Sequence, residues 1–174
     1  MKYDAIIFED EASFRQDSTI HATWSRRGNG PTIPVTGKRN SVKVFGCVDI
    51  LKSKFEYRLD EVFNATTYLN FLEQVAKKYH RKKICYIQDN ASYHKDKDVW
   101  AWFRDYRTQI EVFNLPPYSP ELNAIETVWH HVRMTGTHNR YFDSKEEITN
   151  TLYYVFDDIK KNPNQIRGYM APFL

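Results

Sequence analysis

The order of apolar and polar positions changes period several times along the chain. Residues 2–8, KYDAIIF, form a short apolar run of strand length. Glu9, Asp10 and Glu11 follow it at once, which places Asp10 at the end of a first strand. Residues 17–38 are rich in Gly, Pro, Arg and Thr and predict a long loop or a ragged strand pair. Residues 41–51 are rich in β-formers, and KFEYRLD alternates like a half-buried strand, so a hairpin through Lys52 and Ser53 is expected. From Thr67 to Tyr79 the period becomes helical, with Leu69, Leu72, Ala76 and Tyr79 recurring on one side. KICYIQ, residues 83–88, reads as a buried strand that ends at Asp89. Residues 95–106 predict a helix carrying Val99, Trp102, Phe103 and Tyr106, and residues 110–115 a further strand.

A proline-rich turn then leads into a helix. Ser119 is expected to cap it, and Pro120 suits its first position, where a missing N–H costs nothing. Leu122, Ile125, Trp129 and Val132 make its apolar stripe, and Glu126 borders that stripe. A last helix is expected from about Ser144 to Lys160, with Ser144 and Glu147 as a capping box. Three antiparallel strands followed by alternating helix and strand imply an α/β fold: a mixed five-stranded sheet, its last two strands parallel, with helices on its faces.

The length of 174 residues fits one domain with a real core. A hydrophobic content of 41% excludes a disordered chain. The net charge of +3 says little about partners, but basic residues bunch at Arg26–Arg27, at Lys38–Arg39 with Lys43, and over residues 77–83. Each bunch reads as a solvated surface, and together they can line a groove for phosphates. Cys47 and Cys85 lie in apolar runs and read as small buried hydrophobes, with neither disulfide framework nor zinc spacing. No run approaches membrane-spanning length and no signal-peptide core opens the chain, so a reducing, cytoplasmic setting is expected.

The candidate chemistry lies in three acids. Glu126, beside packed Trp and Leu, is either a rim glutamate bending to water or a carboxylate held for a purpose. Asp89 and Asp10 each end a strand, where open α/β sheets place their sites; each also fits an ordinary turn former. Converging carboxylates repel one another and raise their own pKa values, which a divalent cation relieves. Magnesium or manganese takes such hard oxygen ligands, and a pair of ions about 3.5–4 Å apart serves phosphodiester cleavage or transfer.

The segments FEDEASF, IQDNASYH and LPPYSPELNAIETVW closely resemble the three acidic motifs of DDE transposases, in the insertion-sequence branch related to mariner-type elements. WSRRGNGP is similar to that branch's segment between the first motifs. The resemblance runs from about residue 6 to residue 142, with Asp89 and Glu126 separated by 37 positions. It implies a ribonuclease-H-like fold and Asp10, Asp89 and Glu126 as catalytic ligands of two Mg²⁺ ions, with Mn²⁺ as a substitute. Glu11 follows Asp10, but neighbours on a strand face opposite ways, so Asp10 is chosen by its place in the motif. Asn90, His94, Asn123 and His130 are implied as groups that brace the carboxylates or touch DNA; His94 reads equally as a surface residue at a helix start. Trp24, Arg26 and Arg27 can reach DNA from the long loop, or serve merely to anchor and solvate it.

The implied reaction is hydrolysis at a transposon end, then attack of the freed 3′-hydroxyl on target DNA. The implied setting is a prokaryotic nucleoid, with a homodimer in the synaptic complex. The chain begins almost at its first strand, so the family's helix-turn-helix region is expected to be absent, as in a split frame joined by frameshifting, a truncated copy or an excised domain. Two rival readings stay open: a catalytically silent fragment that partners or regulates full-length transposase, and a stand-alone ribonuclease-H-like nuclease.

Overall fold

A computed structural model describes residues 2–17, 19–35 and 37–174. Strand β1 (Ala5–Arg15) pairs antiparallel with β2 (Ser41–Asp49), which pairs antiparallel with β3 (Lys54–Asp60). On its other edge β1 pairs in parallel with β4 (Ile84–Gln88), and β4 with β5 (Ile110–Asn114). The sheet order is therefore β3-β2-β1-β4-β5, and the sheet is mixed and five-stranded with its last two strands parallel, as the sequence pattern predicts. Helices α1 (Ala65–Lys78) and α2 (Lys97–Asp105) cover one face. Helices α3 (Ala124–Val132), α4 (Lys145–Lys161) and α5 (Asn164–Met170) cover the other. Cys47 and Cys85 are free and buried, as expected.

Alternation along β1 explains the two cores. Phe8, Ala12 and Phe14 enter the α3–α5 side, while Ala5 and Ile7 enter the α1–α2 side. By the same alternation Asp10 shares a face with Phe8 and Ala12, and Glu9 and Glu11 share the opposite one.

Several boundaries differ from the sequence expectation. The first strand does not stop at the acids: it runs on to Arg15, because the β2 ladder continues through that residue. Asp10 is thus within a strand, not at its end. The run from Pro120 is not one helix. Residues Pro120–Leu122 form a separate 3₁₀ turn, and α3 starts at Ala124. Between them Asn123 takes an extended backbone and donates from Nδ2 to the Glu9 carbonyl at 3.1 Å, which draws the chain out of helical geometry. Ser119 makes no side-chain cap bond, and Leu122 leaves the stripe at 47% exposure; Val128 takes its place beside Ile125, Trp129 and Val132.

Asn64 caps α1 two residues earlier than the pattern suggests, and a 3₁₀ turn at Ser92–Lys95 precedes α2. The box at α4 is half formed: Ser144 accepts from the Glu147 N–H, but Glu147 accepts from Asp143. The short α5, which no strong periodicity announces, follows Pro163.

The placement of α3 on the sheet rests on one close approach. A Cβ built on Gly46 would lie 2.3 Å from the Trp129 ring, so the indole sits directly on the β2 backbone. Phe14 and Phe55 meet that ring edge-on, at centroid distances of 6.0 and 5.8 Å. Gly46 is the cross-strand partner of Asp10, and Trp129 lies one turn beyond Glu126. The contact therefore sets the height of Glu126 above Asp10. Gly46→Ala is expected to destabilise the domain by about 1–3 kcal/mol through overpacking. In denaturant titrations Gly46→Ala with Trp129→Phe should cost less than the two single changes added; strict additivity would contradict the contact.

Candidate active site

The parallel ladder between β1 and β4 ends at Phe8 and Ile87, whereas β1 continues against β2. Beyond Phe8 the β4 side of β1 is open, and Asp10 stands in that opening. Asp89 follows β4 directly. Residues 115–120, after β5, and the start of α3 close the remaining sides. Asp10, Asp89, Asn90, Lys95, Asn123 and Glu126 line the resulting cavity, of about 510 Å³. It lies at the carboxyl ends of the parallel strands, where an open sheet leaves a crevice.

Asp89 is held firmly. Its Oδ1 accepts from the Ala91 N–H at 2.8 Å and lies 3.2 Å from His94 Nδ1. The hydrogen bond from His94 holds its carboxyl below the usual range, against the opposing effect of burial. The other His94 nitrogen, Nε2, is 3.1 Å from Glu11 and 3.9 Å from Glu9. Burial works against charge on His94, yet its bonds to Asp89 and Glu11 and the nearby Glu9 prevail and push its pKa up to about 10. His94 is therefore an imidazolium at neutral pH, donating to a carboxylate from each nitrogen. It is 2% exposed and packs on Tyr68, so it is neither a surface residue nor placed to touch DNA.

Behind the cavity lies a second acidic layer, of Glu9 and Glu11, to which the sequence pattern assigns no role. Glu9 is fully buried with neither carboxyl oxygen hydrogen-bonded, and burial with the Glu11 charge raises its pKa well above normal. Glu11 accepts from Tyr93 as well as from His94. Period-two alternation was the available signal, since Glu9 and Glu11 must share a face.

Among the described residues, ligand atoms of Asp10, Glu11 and Asp89 all come within 4.8 Å of one another, as do those of Glu9, Glu11 and His94. Opposite strand faces thus do not keep Glu11 from Asp10, because β1 is an open edge there. Glu126, half-buried in the first turn of α3, belongs to neither group. It lines the same cavity and acts on Asp10 by charge.

Burial, then the charges of Glu11, Glu126 and Asp89, push Asp10 up to about 8, although a hydrogen bond from the Glu11 backbone opposes them. Lys95 is the one basic side chain lining the cavity among the described residues. The donors are hard oxygens in excess of nearby cations, which fits magnesium or manganese.

The remaining candidates divide. Asn90 donates to the Leu115 carbonyl at 2.5 Å and ties the end of β4 to that of β5. Asn123 anchors α3 to β1, as described. His130 is exposed on α3 with its ring 6.2 Å from that of His21, outside the cavity lining. Trp24 and Arg26 line a separate shallow pocket with Asn139, and Trp24, Arg26 and Arg27 are all exposed. Lys95 and Tyr118, which do line the cavity, carried no sequence signal beyond their neighbourhood to the motifs.

These charges fix a pH dependence for the metal-free protein. The folded state holds a proton on Asp10 up to about 8, against 3.8 ordinarily, so that contribution to stability fades as pH rises from 3.8 to about 8. The His94 contribution is complete below 6.5 and is lost as pH rises through about 10. In chelator, Asp10→Asn should flatten the fall in melting temperature between pH 4 and 8 and exceed the unmutated protein at pH 8. An unchanged slope would contradict this electrostatic picture.

A model of the family described as DDE superfamily endonuclease matches residues 5–149. Relatives include the Tcb2 transposase of Caenorhabditis briggsae, 27% identical over 82% of this chain and 58% of that protein. The insertion element IS630 39 kDa protein of Shigella sonnei is 22% identical over 94% of this chain and 48% of its own length. Among solved structures, the mariner Mos1 paired end complex with Mg superposes with a TM-score of 0.59 at 21% identity, covering 96% of this chain and 53% of that one. The chain spans about half the length of the curated relatives it matches. With the mixed sheet and the matched motifs on one framework, the chain belongs to the DDE superfamily endonucleases.

Proposed function

We propose that this chain is the catalytic domain of a DNA transposase, cutting phosphodiester bonds at transposon ends and joining the freed 3′-hydroxyl to target DNA. The observation that carries the reading is the lining of one strand-end cavity by Asp10, Asp89 and Glu126.

In this reading those three hold two Mg²⁺ or Mn²⁺ ions. Such ions, when bound, supply positive charge to both oxygens that exchange places on the phosphorus. The protein's own part is positional. His94 and the Ala91 N–H fix Asp89; Asn123 and the Gly46–Trp129 contact fix the helix that carries Glu126. Lys95 offers a cation to substrate phosphate at the cavity wall. Glu11 either adds a ligand or, paired with His94 and Tyr93, steadies the strand behind Asp10.

The partners that belong to this reading are transposon-end and target DNA, a DNA-binding region in the same or a separate polypeptide, and a second copy in the synaptic complex. The setting is the nucleoid of a prokaryotic cytoplasm. No helix among the described residues is long and apolar enough to cross a membrane.

The test uses pre-nicked and end-bearing duplexes with magnesium, read on denaturing gels. Asp89→Asn should reduce cutting by on the order of a hundredfold or more, the scale for losing one fixed electrostatic stabiliser. Metal-dependent cutting that survives Asp89→Asn would refute the assignment.

A further inference from the structure

Residues 115–120 form the cavity wall across from the carboxylates. Residues 115–120 carry three prolines, Pro116, Pro117 and Pro120, which fix the backbone. The wall is pinned at its start, where the Leu115 N–H bonds the Gln88 carbonyl at 2.8 Å and the Leu115 carbonyl accepts from Asn90. On this stiff segment Tyr118 takes a left-handed backbone, φ 56°, uncommon for a bulky residue. Its side chain is 101% exposed, so the conformation serves no core.

Tyr118 and Lys95 nevertheless line one cavity with Asp10, Asp89 and Glu126. Its volume of about 510 Å³ is that of a small-molecule pocket, with room for a nucleotide. An exposed aromatic on a rigid mount, a nearby lysine and a phosphodiester-handling centre are the parts of a single-strand binding platform. A base offers an aromatic face whatever its sequence, and a phosphate takes the cation.

We propose that residues 115–120 with Lys95 form a nucleotide subsite, in which Tyr118 stacks on the base of an unpaired nucleotide beside the reacting phosphodiester and Lys95 faces a neighbouring phosphate. This rests on the carboxylates being the reacting centre. It adds that the DNA is unstacked at the cut, and that the protein holds the freed nucleotide by a face rather than by its pairing edge. The subsite is therefore tolerant of base identity.

The experiment is a fluorescence titration of the full chain with magnesium at low salt. The probe is a duplex with a three-nucleotide 3′ overhang carrying 2-aminopurine, whose emission falls when the base stacks. The unmutated protein and Tyr118→Phe should quench it, whereas Tyr118→Ala should lose the quench and bind about tenfold more weakly. Tyr118→Ala should keep its melting temperature, since the ring packs on nothing. Magnesium-dependent binding with equal quenching by the unmutated chain and Tyr118→Ala would overturn the subsite and leave the carboxylate assignment standing. Absence of magnesium-dependent binding by the unmutated chain would overturn both.

Discussion

Mutual repulsion among carboxylates is the constraint around which this domain is organised. Asp10, Glu11 and Asp89 come together where β1 outruns its parallel partner, Glu126 lines the same cavity as Asp10 and Asp89, and Glu9 lies buried just behind. Like charges in a partly dry space do not stay together unless something neutralises them. The structure solves half of the problem with its own atoms. His94, wedged against Tyr68, carries a positive charge between Asp89 and Glu11, and Glu9 is driven toward its neutral form. On the Asp10–Glu126 side no equivalent buried cation appears among the described residues, and Asp10 is pushed toward protonation instead. That asymmetry leaves hard, mutually repelling oxygens facing the cavity, which suits the dications of the proposed function.

Hydrophobic packing supplies the force that holds the acids where they would not settle alone. Trp129 on Gly46 clamps α3 to β2, with Phe14 and Phe55 around the indole. The cross-strand partner of Gly46 is Asp10. Packing and chemistry thus share a register: the small residue that admits the indole lies directly across the ladder from the acid that the helix faces. Asn123 adds a polar tie from the head of α3 to the Glu9 carbonyl. The order of the sheet does the rest, bringing together residues that lie 79 and 37 positions apart in the sequence.

Much of this was legible before any coordinates. The change from alternating to helical period located all five strands and the principal helices, because each buries one face against the sheet. The opposition of Asp10 and Glu11 followed from strand geometry, and Glu11 accordingly meets His94 and Tyr93 behind the cavity. What strand geometry could not show is that the β4 edge stops at Phe8, which lets the Glu11 carboxyl come near Asp10 as well. The strand through the acids looked shorter than it is, since charges mask a ladder that is held by backbone bonds. The break before α3 was hidden because Asn123 obeys a long-range bond to β1, not a local preference. The sequence left His94 open between a surface residue and a group bracing the carboxylates, because its two carboxylate partners lie 83 and 5 positions away and meet only in three dimensions.

The most direct test of the central claim is a crystal structure of this chain soaked in manganese, with anomalous scattering locating the ions. The account predicts anomalous density in the cavity between Asp10, Asp89 and Glu126, on the α3 side of the sheet. Manganese found only among Glu9, Glu11 and His94, or no ordered manganese beside Asp10, would contradict it.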